Sequence, residues 1–525
     1  MYKFFILMLI FNIFSCEKEV SKKEVNPTAI PAIPPKEKTV LVDTVLPNSP
    51  KNKTVATPHN LSNYTAIWQT RKNRRIVLEN LDKSYEEGLN PDNYNVNKLW
   101  KYEKKIEALD NRELEKYDLL FINSFQKYIS HLTNGRLSPR KLYRNWDLKE
   151  NKIDINKTIT SLANSDSLAE KIELLKPQHI VYKRLKKALA IINAFPKDSF
   201  NKIKIKNKIV LNDTSPSLID IKKRLIYWKD LKPKDSLSKI YDNETVEAIK
   251  KFQIRHGIAA DGVIGKGTVE SLNFSKNQRK EQILVNLERW KWFPKKMGKE
   301  YIIINIPDYK LILVKGKDTI RKHKVIIGRP KRKTPVLSSK LTQVIFNPTW
   351  TVPPTILRED VIPEIIKNRN YLAKTNIKLY DGNGNIVPAS NWRLSDARNY
   401  RYVQSPGTFN SLGMIKLVFP NRFSIYLHDT NHRDYFEKPV RSLSSGCVRV
   451  DNPLELTEYL MDDATNWNIE KITEALQSEK TKQINLKKEV FIHILYWTAW
   501  SEKNTLIFRD DIYNLDADLY HKLGK

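Results

Sequence analysis

The hydrophobic pattern of this 525-residue chain changes its period near residue 300. Before that point apolar residues recur three and four positions apart, as at Ile122, Phe125 and Ile129, which is the spacing of one face of a helix. After it, short runs rich in β-branched residues, such as 301–306, are bounded by turn residues, which is typical of strands. We therefore predict an α+β multidomain protein in which a mainly helical part precedes a separate β-rich domain.

Turn residues and shifts of composition divide the chain further, because 525 residues are too many for a single hydrophobic core. In chain order we expect a targeting segment at 1–16, a Pro- and Lys-rich tether at 17–60, a mainly helical domain at 61–210, a small three-helix domain at 215–273, a linker helix at 276–298, a β-rich mixed-sheet sandwich at 300–470 with an inserted lid at about 355–410, and a C-terminal strand pair and tail at 471–525.

The N-terminus has the features of a secretory signal. Lys3 precedes an apolar run at 4–14 that is too short to cross a bilayer. The run ends at Ser15 and Cys16, with the aliphatic Ile13 three positions before the cysteine, and this resembles the cleavage site of a lipoprotein signal. The resemblance predicts lipid attachment at Cys16 and a periplasmic lipoprotein anchored to the cell envelope, without indicating which membrane carries the anchor.

The chain is strongly basic, with 91 Lys and Arg against 59 Asp and Glu and a net charge of +32. Such an excess can neutralise the phosphates of a nucleic acid. The basic residues are spread along the whole chain, however, and no nucleic-acid-binding motif accompanies them. We therefore predict a solvated Lys-rich surface and no nucleic-acid partner.

The chain contains two cysteines, Cys16 and Cys447. If Cys16 carries lipid, Cys447 is a free thiol in a compartment that usually oxidises or pairs thiols. Counting alone allows two explanations, a buried cysteine that packs as a small hydrophobic residue and a thiol that does chemistry.

The residues around Cys447 favour chemistry. A cysteine nucleophile needs a base and donors that stabilise an oxyanion. His428 stands 19 residues earlier, on a predicted strand whose alternation places Tyr426 and His428 on one polar face. Gly446 permits close backbone approach, and its amide together with that of Cys447 could bind the oxyanion. Arg449 shares the face of Cys447 and could bind a substrate carboxylate.

A zinc site is the competing interpretation of His428, because His432 follows four residues later. The segment lacks the apolar face of a helix, and no Glu follows the first histidine as a metalloprotease helix requires. We predict a solvated His432, no metal and no cofactor.

A second pattern lies within 215–273. Phe252, His256, Asp261 and Gly265 stand at spacings that resemble those of a three-helix peptidoglycan-binding domain. A small helical domain without a ligand is the alternative. The combination of these positions favours binding to peptidoglycan.

The segments 425–430 and 445–450, Ile-Tyr-Leu-His-Asp-Thr and Ser-Gly-Cys-Val-Arg-Val, resemble the signature of the L,D-transpeptidases of the YkuD type. Ser445 stands where many members have a second histidine, and the large branch of the family, which carries a helical scaffold and a lid, also has serine there. The resemblance covers about residues 60–525 and includes further matching segments at 175–179, 286–293, 347–350 and 496–500.

This resemblance implies an activity that spacing alone does not. Cys447 would attack the carbonyl of the third residue of a tetrapeptide stem, an L-centre of a diamino acid, and expel the terminal D-Ala as a thioester forms. His428 would act as base and then as acid, and an amine from a neighbouring stem would resolve the thioester into a 3-3 crosslink. The resemblance also implies acylation by carbapenems, and we expect Tyr426, Arg449, Trp350 and Ser445 to line the substrate.

Two other functions remain open at this point. If water resolves the thioester, the protein is an L,D-carboxypeptidase, since hydrolysis and transfer share one acyl-enzyme. A lipoprotein that binds peptidoglycan through 215–273 without catalysis is a different class of protein, and the presence of both Cys447 and His428 argues against it. We expect a monomer.

Overall fold

The structure, a computed structural model, describes residues 70–151 and 153–524. The predicted signal segment, the tether and Cys16 lie outside these residues. Among the helices of the described residues, none combines the length and the apolar character that a bilayer crossing requires.

The first part of the described chain is helical, as its spacing predicts. The longest helix begins after Asp110, whose carboxylate accepts the Glu113 N–H at 2.8 Å while the Glu113 side chain accepts the Asp110 N–H. It ends before Gly135, and its buried side chains, Phe121 and Tyr128 among them, form a core with the neighbouring helices. The helices are α1 Arg71–Asp82, α2 Val96–Glu103, α3 Asn111–Asn134, α4 Pro139–Leu142, α5 Ile155–Ala163, α6 Leu168–Leu175 and α7 Ile180–Ala194.

A three-helix unit follows, with its own apolar core. Its helices are α8 Ser217–Tyr227, α9 Asn243–His256 and α10 Lys266–Leu272. Helix α9 ends at Gly257, which lies in the left-handed region at φ +68°, where a side chain would be strained. Gln253 holds the turn that follows, since its amide donates to the Val263 carbonyl at 3.0 Å and accepts the Gly262 N–H at 2.9 Å. Ile209, which precedes α8, pairs with Ile264 and packs in the same core.

The rest of the chain is built on strands, with helices against their faces. The strands are β1 Trp146–Asp147, β2 Glu300–Asn305, β3 Lys310–Lys315, β4 Asp318–Gly328, β5 Val336–Lys340, β6 Gln343–Phe346, β7 Trp350–Thr351, β8 Ile377–Tyr380, β9 Ile386–Val387, β10 Arg401–Gln404, β11 Ile415–Val418, β12 Leu427–His428, β13 Ser442–Ser444, β14 Val448–Val450, β15 Lys482–Asn485, β16 Phe491–Leu495, β17 Ala499–Glu502 and β18 Thr505–Phe508. The remaining helices are α11 Lys276–Trp292, α12 Pro354–Ile356, α13 Ile362–Lys367, α14 Tyr371–Lys374, α15 Pro453–Met461, α16 Ile469–Gln477 and α17 Asp516–Lys522.

The main sheet is mixed and folds back on itself. Its strand order is β1-β5-β16-β2-β3-β4-β14-β12-β11-β6-β15, with β13 beside β4. Strands β5 and β6 lie near opposite ends of this order, yet only Leu341 and Thr342 separate them in the chain. The two ends of the sheet must therefore face each other, which gives the predicted mixed-sheet sandwich with an apolar core between its layers. Helices α7 and α11 contribute side chains to the same core, so the helical part and the sheet are joined.

Two predicted strands differ from the observed ones. The predicted strand at 423–428 is reduced to Leu427–His428, because Ser424 has φ +54° and the Asn421 side chain accepts the Ile425 N–H at 3.0 Å in a turn. The first strand of the predicted C-terminal pair, which we expected at 490–500, is two strands, β16 in the main sheet and β17 in a separate hairpin with β18. Side-chain oxygens of Asn305 and Asn286 accept the N–H groups of the intervening residues 497 and 498, which ends the sheet ladder there.

The long insertion between β6 and β11 has its own fold. Strands β7, β10, β8 and β9 form a separate antiparallel sheet. In the chain, helices α12 to α14 lie between β7 and the other three strands. Ile365, Leu372, Trp392 and Tyr402 lie in a core that belongs to this insertion. The predicted lid region is therefore a small folded unit and not an extended loop.

Candidate active site

His428 and Cys447 are carried by neighbouring parallel strands near the middle of one sheet layer. Strands β12 and β14 pair in parallel, with His428 opposite Arg449. Strand β11 lies on the other side of β12, with Lys416 opposite His428. Because directly paired residues point to the same face of a sheet, these three side chains share one face. Tyr426 lies on it too, since its ring centroid is 5.6 Å from that of His428.

Cys447 stands directly before β14, in a loop whose conformation depends on Gly446. This glycine has φ +122°, a backbone conformation that side chains rarely adopt. Ser444 Oγ accepts the Gly446 N–H at 3.1 Å and donates to the Cys447 carbonyl at 2.6 Å. The Gly446 N–H is thus used within the loop, which revises its predicted role as an oxyanion donor. The Cys447 N–H has no acceptor among the described residues and is the donor that remains.

The environment of the partly exposed Cys447 thiol is set mainly by Tyr426. Sγ donates to the Ser424 carbonyl at 4.0 Å, and both the hydroxyl and the backbone N–H of Tyr426 hydrogen-bond to Sγ. The Trp350 indole donates to the same hydroxyl, so three of the predicted site residues are in contact. Burial raises the pKa of the Cys447 thiol above its ordinary value, while the Tyr426 hydrogen bonds oppose that rise. The resting group is a neutral thiol.

His428 is buried and uncharged. Burial lowers its pKa to about 3, and the positive charge of Arg449 acts in the same direction. Its Nδ1 atom has no hydrogen-bond partner among the described residues, so it can accept a proton. No hydrogen bond joins it to the thiol within the described part of the chain, where the thiol donates to the Ser424 carbonyl.

Lys416 is a member of this site that the sequence analysis missed. Its Nζ lies 4.0 Å from the centroid of the Tyr426 ring, a cation–π contact. Burial lowers the pKa of Lys416, and Cys447 is the group whose charge interacts with it. The sequence does contain a signal, because Lys416 stands between the buried Ile415 and Leu417 of an apolar strand and must point to the opposite, polar face.

Arg449 carries unused hydrogen-bond donors. Its Nε and Nη1 atoms are buried and have no acceptor among the described residues. Burial also lowers the pKa of its guanidinium group. An unpaired buried guanidinium is energetically unfavourable, and a carboxylate is the ligand whose geometry and charge match it.

Ser445 connects the loop before Cys447 to the insertion. Its Oγ accepts a hydrogen bond from Arg332 Nη1 at 2.9 Å. Arg332 also forms ion pairs with Glu359, at 2.5 Å, and with Asp360, both at the start of the insertion. The same guanidinium therefore contacts the predicted lid and the loop that carries the thiol.

His432, predicted to be solvated, is exposed and stacks on Tyr435 with ring centroids 5.0 Å apart. Within residues 70–151 and 153–524, no group of three or more His, Cys, Asp or Glu side chains is arranged to hold a metal ion.

A helix follows the strand that comes after Cys447. Helix α15 starts at Pro453, and Asn452 donates from its side chain to the Glu455 carboxylate at 2.9 Å. The Asn452 side chain therefore does not cap the backbone of this helix.

Three segments of the chain match known protein families. Residues 299–473 match the family described as the L,D-transpeptidase catalytic domain, known as YkuD. Residues 214–272 match the "Putative peptidoglycan binding domain", and residues 54–189 match the scaffold domain.

One known protein is similar in sequence to part of the chain. A protein of Haemophilus influenzae (strain ATCC 51907 / DSM 11121 / KW20 / Rd), named "Putative L,D-transpeptidase", is 32% identical over 291 residues, which span 54% of this chain and 58% of that relative.

Two solved L,D-transpeptidase structures are also similar to parts of the chain. One, from Xylanimonas cellulosilytica, is 13% identical with a TM-score of 0.17 and covers 55% of this chain and 98% of its own. The other, from Stackebrandtia nassauensis, is 13% identical with a TM-score of 0.21 and covers 57% and 97%. At such scores the solved structures add no argument, and the family assignment rests on the sequence matches. The chain therefore combines segments that match a YkuD-type L,D-transpeptidase catalytic domain, a peptidoglycan-binding domain and a scaffold domain.

Proposed function

We propose that this protein is an L,D-transpeptidase that forms 3-3 crosslinks between peptidoglycan stem peptides. The observation that carries the proposal is the polar face of β12 and β14. There a neutral Cys447 thiol, the unpaired Nδ1 of His428 and two guanidinium nitrogens of Arg449 that lack an acceptor among the described residues lie together in the domain that matches the family. A nucleophile, a base and a carboxylate-binding group are the parts that acyl transfer from a peptide requires.

The reaction begins when His428 takes the proton of the Cys447 thiol. The thiolate attacks the carbonyl carbon of the third stem residue, and an oxyanion forms on the carbonyl oxygen. When this intermediate collapses, the bond to the terminal D-Ala breaks, and His428 returns the proton to the leaving amine. The product is a thioester on Cys447, which an amine of a second stem attacks to form the crosslink and release the thiol.

The neighbouring side chains have separate roles in this proposal. The Tyr426 hydroxyl and the Lys416 ammonium group stabilise the thiolate, because one donates to Sγ and the other supplies positive charge. Arg449 binds a carboxylate of the donor stem. Trp350, which holds the Tyr426 hydroxyl, and Ser445, which is exposed beside the thiol loop, border the donor peptide.

The other domains bring the enzyme to its substrate. The three-helix unit binds peptidoglycan, and the insertion at about 355–410 closes over the donor stem as a lid. Lipid on Cys16 anchors the protein to a membrane of the envelope, which places the catalytic domain in the periplasm. We expect the protein to act as a monomer without metal or cofactor.

Incubation with a disaccharide tetrapeptide, followed by mass spectrometry of the products, tests the activity. A dimer that lacks one D-Ala identifies a transpeptidase, whereas a tripeptide monomer identifies an L,D-carboxypeptidase that uses the same acyl-enzyme. Cys447→Ala should abolish either product, and Cys16→Ser, the matched control, should keep it in a detergent-free assay. Product formation by Cys447→Ala would contradict the nucleophile assignment.

Binding is tested separately with purified sacculi. Cys447→Ala should sediment with the sacculi as the unchanged protein does, whereas deletion of 215–273 should reduce sedimentation. Unchanged sedimentation after the deletion would contradict the role of the three-helix unit. Sedimentation without any product from the unchanged protein would identify a non-catalytic binding protein.

A further inference from the structure

The peptide group between Gly446 and Cys447 is held by a buried threonine side chain. The Gly446 carbonyl accepts a hydrogen bond from Thr334 Oγ1 at 2.8 Å. Thr334 is fully buried, so this bond does not compete with water. Because a peptide group is planar and trans, its C=O and N–H point in opposite directions. Fixing the Gly446 carbonyl towards Thr334 therefore fixes the Cys447 N–H away from Thr334.

Thr334 is itself held by two further hydrogen bonds. Its Oγ1 accepts the Gly328 N–H at 2.8 Å, and this leaves the hydroxyl hydrogen directed to the Gly446 carbonyl. Its backbone N–H donates to the Tyr513 hydroxyl at 3.0 Å, and that hydroxyl donates to the Gly328 carbonyl at 2.7 Å. We call Gly328, Thr334, Gly446 and Tyr513 the threonine bridge.

The turn that carries Thr334 depends on a glycine. A Cβ atom added to Gly328 would lie 2.2 Å from the Arg332 carbonyl oxygen and 2.7 Å from the Thr334 N atom. These are backbone atoms, so a side chain at this position would displace the turn. The close approach of this turn to β4 brings the threonine hydroxyl within reach of the Gly446 carbonyl.

Tyr513 belongs to a C-terminal segment that is tied down at several points. Its backbone N–H donates to the Tyr496 hydroxyl at 3.2 Å, and that hydroxyl donates to Asp511 at 2.5 Å. Lys333 Nζ donates to the Tyr513 carbonyl at 3.0 Å. A few residues on, Asp516 forms an ion pair with Arg289 of helix α11. This segment lies after residue 473, where the match to the catalytic-domain family ends.

We propose that Thr334 and Tyr513 are positioning residues that aim the Cys447 N–H at the oxyanion, so that a segment outside the matched catalytic domain completes the oxyanion site. The inference rests on the proposed acyl transfer. It assigns a purpose to the Cys447 N–H, which has no acceptor among the described residues. Neither side chain touches the substrate, and both act through the Gly446 carbonyl.

The test separates two reactions of the same thiol in the full chain. Acylation by meropenem opens the β-lactam C–N bond through an oxyanion, whereas alkylation by iodoacetamide displaces iodide at a saturated carbon and forms no oxyanion. Mass spectrometry of the peptide that contains Cys447 measures both rates. Loss of an oxyanion donor typically costs 10²–10³ in rate, and a displaced donor should cost about 10- to 100-fold.

Thr334→Val removes the hydroxyl while keeping the shape of the side chain, and Thr334→Ser restores the hydroxyl. We expect Thr334→Val to slow acylation by about 10- to 100-fold while alkylation stays within about twofold, and Thr334→Ser to recover most of the acylation rate. Tyr513→Phe, which removes the hydroxyl but keeps the ring, should show the same selective loss in a milder form. Thr457→Val is the matched control, because Thr457 is equally buried and its hydroxyl donates to the Pro453 carbonyl at 2.8 Å.

Acylation at the original rate in both Thr334→Val and Tyr513→Phe would overturn the inference. An equal loss of acylation and alkylation would also overturn it, because it would indicate general damage to the site. If Thr334→Val fails to fold, Tyr513→Phe alone tests the inference: slower acylation with unchanged alkylation supports it, and an unchanged acylation rate overturns it. If the unchanged protein is alkylated at Cys447 but neither acylated by meropenem nor active on a tetrapeptide, the proposed function itself fails, and the inference fails with it.

Discussion

Replacing Tyr426 with phenylalanine should raise the pKa of the Cys447 thiol. Burial already raises this pKa, and the hydrogen bonds from Tyr426 oppose the rise because they favour the thiolate. The substitution removes the hydroxyl and keeps the ring, with its backbone N–H and its contact with Lys416. It isolates one hydrogen bond to the reacting sulfur.

The magnitude follows from the strength of that bond. A hydrogen bond to a charged group contributes about 1.5–3 kcal/mol, and partial exposure of the thiol reduces this to roughly 1.4 kcal/mol, or about one pKa unit. A less acidic thiol yields tenfold less thiolate at neutral pH, but each thiolate is more nucleophilic. The net effect on alkylation near pH 7 is therefore a slowing of about threefold to fourfold.

The measurement is the rate of alkylation by iodoacetamide as a function of pH. Cys16 is the other cysteine of the chain, so the peptide containing Cys447 must be quantified by mass spectrometry. Tyr435→Phe is the matched control, since Tyr435 stacks on His432 and makes no hydrogen bond to the thiol among the described contacts. An unchanged or lowered pKa in Tyr426→Phe would refute the assigned role of the hydroxyl.

Three further perturbations test other parts of the molecule. Burial raises the pKa of Cys447, and the positive charge of Lys416 opposes that rise. Lys416→Met should therefore raise the pKa of Cys447, whereas Lys416→Arg should not. Equal pH profiles of alkylation for the two variants would contradict this. Arg332→Met removes the ion pairs to the start of the insertion and should speed hydrogen exchange at 354–367 without a large loss of stability, since those partners are partly exposed; unchanged exchange would count against the link. Glu87→Gln removes the carboxylate that pairs with Lys186 and with Lys176, which keeps Glu173 as a second partner, and should cost about 3 kcal/mol in urea unfolding at pH 7. Burial favours a higher pKa for Glu87, but two lysines hold its pKa below the ordinary value. The stabilisation by Glu87 is therefore present above the ordinary pKa, and the difference in unfolding free energy between the two proteins should narrow as the pH falls through the lowered pKa. A difference that stays constant with pH would contradict this.

The elements that the sequence predicts best are those with a local cause. Helix α3 follows from its apolar spacing and from the capping pair Asp110 and Glu113. The turn after α9 follows from Gly257 and Gly262. Each of these signals lies within a few residues of the structure it specifies, so no knowledge of the rest of the chain is needed.

The site likewise contains parts that a local pattern predicts and parts that it does not. The placement of Tyr426 on the polar face with His428 follows from alternation, even though Ser424 breaks the predicted strand before it. The threonine bridge does not follow from any local pattern, because Thr334 is 112 residues from Gly446 and 179 from Tyr513. Only the folding back of the sheet and the docking of the C-terminal segment bring these groups together. The hydrophobic periodicity of the sequence predicts neither of these long-range arrangements.

The charges around the Cys447 thiol explain how it can resist oxidation and still serve as the proposed nucleophile. With the pKa of His428 at about 3 and that of Cys447 raised by burial, the resting pair is an uncharged imidazole and an uncharged thiol. Thiols react with oxidants mainly as thiolates, so this resting state limits oxidation. Lys416 and Arg449 add positive charge, which favours the thiolate but disfavours protonated His428. Proton transfer within the pair would therefore become more favourable if, as proposed, a carboxylate neutralised Arg449. Binding of a carboxylate-bearing donor would remove part of that opposition, so the same contact that positions the substrate would also make His428 a stronger base.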